Sequence, residues 1–310
     1  DPSKNLWLVI AVGLGIAISS ATQDITIDAL RIEQIGENEK DLLSAGAAIS
    51  VVGWWTGYKI GGLVSLISAD ILQKQGVENY WQLSFLMLSA IIMLCSIGLL
   101  FIPEKNSEEK VKLQNLASQK IAKKIGFSNN FVKIFTWLYI TIINPLLSFF
   151  KKNTVKVAFA ILSFVFLFKI GEAFLGRMSL VFYKEIGFSK TDIALYSKGI
   201  GWLTTVTFTL LGGLFAVRMG LVKAMFVSGI LMALTNILFS VLAWVGNSET
   251  LFAFTVLVDD LAAAFATVAF VGFISALVDR NYTATQYALL ASIGTAGRTF
   301  FAPSSGMMVD

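Results

Sequence analysis

The chain has 310 residues, 56% hydrophobic and only 14% charged, with a formal net charge of +4 and a mean hydropathy of +0.74. A soluble domain carries roughly 25% charged residues, so this composition cannot cover a water-facing surface and marks an integral membrane protein. There is no histidine and a single cysteine, Cys95, which excludes histidine-metal sites, Ser-His or Cys-His catalysis, histidine proton relays, an intramolecular disulfide and a cysteine zinc site.

A spanning helix needs about 20 mostly apolar residues. Eight stretches qualify: 6–27, 44–69, 80–102, 155–183, 193–217, 222–245, 251–278 and 285–309. The fold class is therefore an all-α integral membrane protein. Only four prolines interrupt the chain, and glycines fall inside the spans. Gly57, Gly61 and Gly62 on the second and Gly212 and Gly213 on the fifth let helices approach closely.

Lysine and arginine orient the spans. With the N-terminal side outward, the inner connections hold Arg31, Lys40, Arg218, Lys223, Arg280 and ten lysines between Lys105 and Lys156. Only Lys4, Lys74, Lys184 and Lys190 remain outside. The longest connection, 103–154, begins with Pro103 and a lysine-rich polar stretch. Its last part, 131–150, is apolar but carries a polar stripe of Lys133, Thr136, Thr141, Asn144, Ser148 and Lys151 at roughly helical spacing. Spanning there would put the later basic loops outside, so this segment reads as an amphipathic helix on the cytoplasmic membrane surface, its lysines near anionic headgroups.

Three spans, a basic central loop and five spans suggest the middle of a protein with two six-helix halves. The chain opens on Asp1, without a methionine, and ends at Asp310 as the eighth span finishes. The expected organisation is 1–102 as the last three helices of an N-terminal bundle, 103–154 as a cytoplasmic linker with an amphipathic helix, and 155–310 as the first five helices of a C-terminal bundle.

Ten ionisable residues fall within or at the ends of these spans: Asp24, Asp28, Glu172, Asp259, Asp260, Lys59, Lys169, Arg177, Lys198 and Arg298. At a helix centre each costs about 2.5–3.5 kcal/mol. If half are central, the unpaired cost is on the order of 12–18 kcal/mol, comparable to a whole protein's stability. The charges must pair or line a wet cavity, and the equal number of each sign favours paired networks between helices. Lys169 and Glu172, three apart, share a helix face, as do Asp24 and Asp28, four apart.

Two chemistries fit. A membrane carboxylate can take and release a proton as its surroundings open and close, and Asp24, Glu172 and Asp259 are the candidates. Lys59, Lys169, Lys198 and Arg298 suit an anionic substrate, or form charge pairs with groups such as Asp28; arginine grips carboxylate or phosphate bidentately. Trp54, Trp55 and Trp202 either stack on a sugar or base or serve as packing and interface anchors. An enzyme is disfavoured, since there is no metal cluster and no glycine-rich phosphate loop. No cofactor and no nucleic acid is implied. The stretch 212–220 ends a span at a short basic turn.

Several motifs carry a family resemblance. QDITIDALRIE (23–33) resembles a signature of the AmpG-type muropeptide permeases within the major facilitator superfamily. GAAISVVG (46–53), PLLSFFKKN (145–153), KIGEAF (169–174), Ser197-Lys198 and GGLFAVRMGLVK (212–223) follow in order. TATQYALLASI (283–293), with Gln286 inside it and Ala296-Gly297-Arg298 after it, resembles the eleventh helix of the family. The resemblance covers nearly the whole chain and implies a partial superfamily fold, helices four to eleven of at least twelve, with partner helices of the same transporter outside this stretch. It implies proton-coupled import of anhydromuropeptides, anionic sugar-peptides from the cell wall, across the bacterial inner membrane. Acetyl-coenzyme A transporters share the general pattern, so another large anion such as acetyl-coenzyme A or a nucleotide stays open, as does a non-transporting product of a split gene. The sequence departs from the family where a basic residue belongs two after Gly53. Trp55 stands there, and Lys59 follows one helical turn later. The pair Asp259-Asp260 departs too, and could hold one shared proton.

Overall fold

The structure, a computed structural model, describes residues 5–36, 39–103, 112, 116, 138–189, 193 and 201–301, the side chains of Lys40, Ala173 and Arg177 excepted. Residues 194–200 of the expected fifth span, with Lys198, and segment 131–137 of the central loop lie outside the described residues.

The described elements are helical: α1 (Leu6–Gln34), α2 (Lys40–Lys74), α3 (Tyr80–Leu99), a π-helical turn (Tyr139–Ile143) running into α4 (Asn144–Asn153), α5 (Val155–Phe168), α6 (Ile170–Glu185), α7 (Gly201–Met219), α8 (Leu221–Val245), α9 (Glu249–Leu277), a 3-10 turn (Arg280–Tyr282) and α10 (Thr283–Phe301). Among the described residues, six stretches are long and apolar enough to cross a membrane: Leu6–Gln34, Tyr80–Leu99, Val155–Glu185, Trp202–Met219, Leu221–Val245 and Glu249–Leu277. The other two expected spans form as the long helices α2 and α10. Their apolarity is diluted by glycine, serine, tryptophan and Lys59 in α2, and by threonine, Gln286 and Arg298 in α10.

Backbone groups in hydrocarbon must be satisfied within the helix, and polar side chains in these helices follow the same rule. Thr22 donates to the Ile18 carbonyl at 2.8 Å, Thr26 to Thr22 at 2.7 Å, Ser96 to Ile92 at 2.8 Å and Thr255 to Leu251 at 2.7 Å. Each hydroxyl bonds one turn back, so it brings no unpaired donor into the bilayer. The stretch read as one span over 155–183 is interrupted at Lys169, whose φ of −94° and ψ of 2° leave the helical region.

The chain divides into two compact units. The first comprises Asp1–Lys40, Lys105–Ala173 and Ile274–Ser304. In it, α10 packs against α5 and α1, and α4 packs on α5 and α10. The second comprises Asp41–Glu104, Phe174–Phe273 and Ser305–Asp310. Among its described residues, two buried clusters stand out. Tyr183, Phe188, Phe239, Leu242 and Phe252 gather where α6, α8 and α9 meet, with Phe188 stacked on Phe252 at 4.3 Å. Ala47, Ala48 and Val51 of α2 pack against Val268 of α9.

Small residues set the closest approach. A Cβ on Gly213 would meet the Cβ of Ala48 at 2.5 Å, and one on Gly212 would meet the Cα of Phe265 at 3.1 Å. These two glycines pack helices as the sequence indicates, whereas a Cβ on Gly57, Gly61 or Gly62 would meet nothing within 4 Å. Gly220 alone links α7 to α8 with φ of 80°, a conformation that favours glycine.

Gly213→Ala should lower stability by about 1–3 kcal/mol through overpacking. Adding Ala48→Gly should restore much of the loss. Thermal unfolding of the two single variants and the double variant in detergent reads the coupling.

Candidate functional site

In the first unit α1 continues past the apolar stretch to Gln34, and its last turns carry a charge network. Asp28 is buried, with 8% of its surface exposed. Arg31, three residues on, pairs with it: Nη2 lies 3.0 Å and Nε 3.1 Å from Oδ1. Arg31 Nη2 also donates to Ser275 Oγ on α9 at 3.1 Å. The Tyr287 hydroxyl on α10 bonds to Asp28, and the ring centroid lies 5.9 Å from the Arg31 guanidinium carbon. Arg31 Nη1 is buried without a hydrogen-bond partner among the described residues. Arg280 donates to the Ile32 carbonyl, a second tie between α1 and the α9–α10 corner. Asp24 stands one turn before Asp28 with its side chain exposed.

Lys169 and Glu172 form an ion pair of 2.6 Å across the helix break. This is the pairing their spacing indicates. Arg298 lies exposed on α10.

Gln286 is the most buried of the candidates, with 1% of its surface exposed. Its Nε2 donates to the Pro145 carbonyl at 2.8 Å, and its Oε1 accepts from the Asp279 backbone N–H at 2.6 Å. Asp279 accepts from Ser148 Oγ at 2.7 Å and from the Asn281 N–H at 3.0 Å. One amide and one carboxylate therefore seat α4 on the α9–α10 corner, and Phe149 is buried beneath.

The second unit gathers the other candidates on α2, α7 and α9. Lys59 Nζ donates to Thr205 Oγ1 at 3.4 Å and sits 5.2 Å from the Trp55 ring centroid, in cation–π geometry. Thr204 Oγ1 donates to Asp260 Oδ2 at 3.4 Å, and Asp260 is within electrostatic reach of Lys59. Asp259 and Asp260 both lie within electrostatic reach of Tyr183. Trp202 Nε1 donates to Thr56 Oγ1 at 3.4 Å. Trp54 and Tyr58, both exposed, stack with centroids 5.8 Å apart and planes 5° from parallel. A cation, a carboxylate, two hydroxyls and flat aromatic faces thus share one unit and suit a polar anionic solute with ring surfaces.

The sequence reading passed over Arg31, Ser275, Asp279 and Tyr287. Arg31 carried a signal, since it stands three after Asp28 in QDITIDALRIE.

A helical, multi-pass chain with charge pairs inside its spans is the pattern of a membrane transporter. The Major Facilitator Superfamily model matches residues 3–302, and the chain belongs to that superfamily. It is a transporter's chain, not an enzyme's, and helical bundles of this kind sit in the bacterial inner membrane rather than among the outer-membrane barrels. Its relatives carry the AmpG name. It is 31% identical over 295 residues to "Putative transporter AmpG 4" of Rickettsia felis, covering 94% of this chain and 64% of that protein. It is 32% identical over 313 residues to the protein of the same name from Rickettsia conorii, covering 100% and 68%. It is 28% identical over 312 residues to "Anhydromuropeptide permease" of Escherichia coli, covering 100% and 56%. The chain spans between about half and two thirds of the length of these relatives.

Asp279 lies outside the spans. Its partial burial raises its pKa, but bonds from the Asn281 N–H and the Ser148 hydroxyl, with the Lys152 charge, outweigh this and hold the carboxyl below its ordinary value. A depressed carboxylate stabilises the fold above its unfolded pKa and stops doing so as pH falls through the folded one. Hydrogen-exchange protection of 146–152, corrected for intrinsic rate, should stay level from neutral pH to about pH 4 and drop below it. Asp279→Asn should remove that drop. Gln286→Leu should weaken protection at every pH, because each backbone group left buried and unpaired costs about 1–3 kcal/mol.

Proposed function

We propose that this chain is the working middle of a proton-coupled importer of anhydromuropeptides, acting in cell-wall recycling. The observation that carries the reading is the end-to-end match of this chain to a protein named as an anhydromuropeptide permease, together with ionisable residues in or beside the spans at the positions the resemblance marks. The three spans within 1–102 close one helix bundle, the five within 155–310 open the other, and helices of the same transporter beyond this stretch complete both. The two bundles rock about a site near the midplane.

In this reading Lys59 receives a carboxylate of the sugar-peptide, displacing its interaction with Asp260. Thr204, Thr205 and the aromatic faces of Trp55 and Trp202 take the polar groups and rings. Lys169, Lys198 and Arg298 add positive potential along the path, and Glu172 keeps Lys169 neutralised until substrate arrives. Asp24 carries the proton. Asp28 is already committed to Arg31, so the two carboxylates on one face divide the work, one structural and one titrating. The ties from Arg31 to Ser275 and from Arg280 to the Ile32 carbonyl join the two bundles at the inner end. They break when the cytoplasmic side opens.

The test is uptake of labelled anhydromuropeptide into vesicles holding the full transporter. An inward proton gradient should drive accumulation, and its collapse should abolish it. Asp24→Asn keeps shape and hydrogen bonding but removes the titration, so accumulation should fall to near background while downhill exchange survives. Asp24→Glu should keep part of the activity. An Asp24→Asn transporter that accumulates substrate like the parent would remove Asp24 from the coupling and turn attention to Glu172 or Asp259. A parent that ignores the gradient would refute symport.

A further inference from the structure

The corner between α4 and α5 carries three cations that the transport reading does not use. α4 has two faces. Pro145 and Phe149 are buried, Ser148 gives its hydroxyl to Asp279, and Gln286 holds the Pro145 carbonyl. Beyond that face stand Lys151 and Lys152, both exposed, and Lys156 follows on the first turn of α5, also exposed. None of the three has an ion-pair partner among the described residues. The carboxylate that feels one of them is Asp279, through Lys152. Thr154, with φ of 53°, is the whole linker between the two helices, so the cations are confined to one short corner.

The chain also fixes their depth. Val155 opens a 31-residue stretch apolar enough to span, and residues at the mouth of a span stand at headgroup level. Because α4 is pinned by Gln286 and Asp279, its lysines are held at that level, where a loose loop would let them wander.

We infer that Lys151, Lys152 and Lys156 form a docking surface for the phosphate groups of anionic phospholipids in the leaflet at this end of the span. Three cations within six residues match clustered lipid phosphates, and each lysine near an anionic leaflet is worth roughly a fivefold gain in headgroup occupancy. Lys152 is shared between lipid and Asp279. A lipid phosphate at this corner therefore competes for the charge that helps seat α4 on the α9–α10 corner.

Native mass spectrometry of the full transporter tests this, with phosphatidylglycerol and phosphatidylethanolamine offered together in mixed micelles. The parent should retain phosphatidylglycerol preferentially. Each of Lys151→Gln, Lys152→Gln and Lys156→Gln should lower that preference roughly fivefold, and the triple variant should abolish it. Replacing all three by arginine should preserve it, and this variant keeps the test open if the glutamine triple does not fold. Lys184→Gln, at the far end of the same span, should leave it unchanged. Unaltered preference in the glutamine variants would overturn the proposal, and so would an equal loss from Lys184→Gln. Displacement of the lipid by millimolar inorganic phosphate would also overturn it, because the corner would then be a free-anion site.

Discussion

Taking a charge out of water is the expense around which this chain is arranged. An unpaired ionised group at the centre of a span costs about 2.5–3.5 kcal/mol, and the described structure meets that cost with partners close in sequence. Arg31 answers Asp28 and Lys169 answers Glu172, each pair three residues apart, the first within α1 and the second across the break between α5 and α6. Such pairs insert as neutralised units and need no second helix to form. The second helix is then recruited by what is left over. Arg31 still has a donor to give to Ser275 and a face to offer the Tyr287 ring, and both contacts hold α1's inner end.

The same economy separates structural charges from working ones. A group whose hydrogen bonds are all used is a poor candidate for binding anything else. Gln286 is such a group, with both ends of its amide committed to backbone. Lys59 differs. Its bond to Thr205 is long at 3.4 Å, and a ring face and the field of Asp260 lie beside it. Under the proposed function this is the cation that meets the substrate carboxylate.

How much of this was readable in advance depended on sequence distance. The spans were legible because about 20 apolar residues in a row leave a helix little alternative. Lys169 and Glu172 were legible because three residues is one helical turn. Arg31 has the same spacing from Asp28, but hydropathy fades after residue 27 and assigned it to a loop. The helix in fact runs on to Gln34 because an amphipathic segment can continue where an apolar one stops. Contacts across 141 residues, as between Gln286 and Pro145, or 146, as between Lys59 and Thr205, leave no periodic trace. The glycines show the limit from the other side. Gly213 and Gly57 look alike in sequence, and only the first has a neighbouring helix against it among the described residues. Where the family signature is dense, at QDITIDALRIE and TATQYALLASI, the charge network and the seat of α4 are both found.

In the proposed function, movement of the anionic sugar-peptide and of protons is one event. Its most direct measurement is lumenal pH in vesicles holding the full transporter, with a trapped pH dye, no imposed gradient and anhydromuropeptide added outside. Symport predicts acidification of the lumen that begins with substrate addition, scales with uptake and disappears when a protonophore is present. Substrate entry with no change in lumenal pH, under conditions where uptake is measured in the same vesicles, would contradict it.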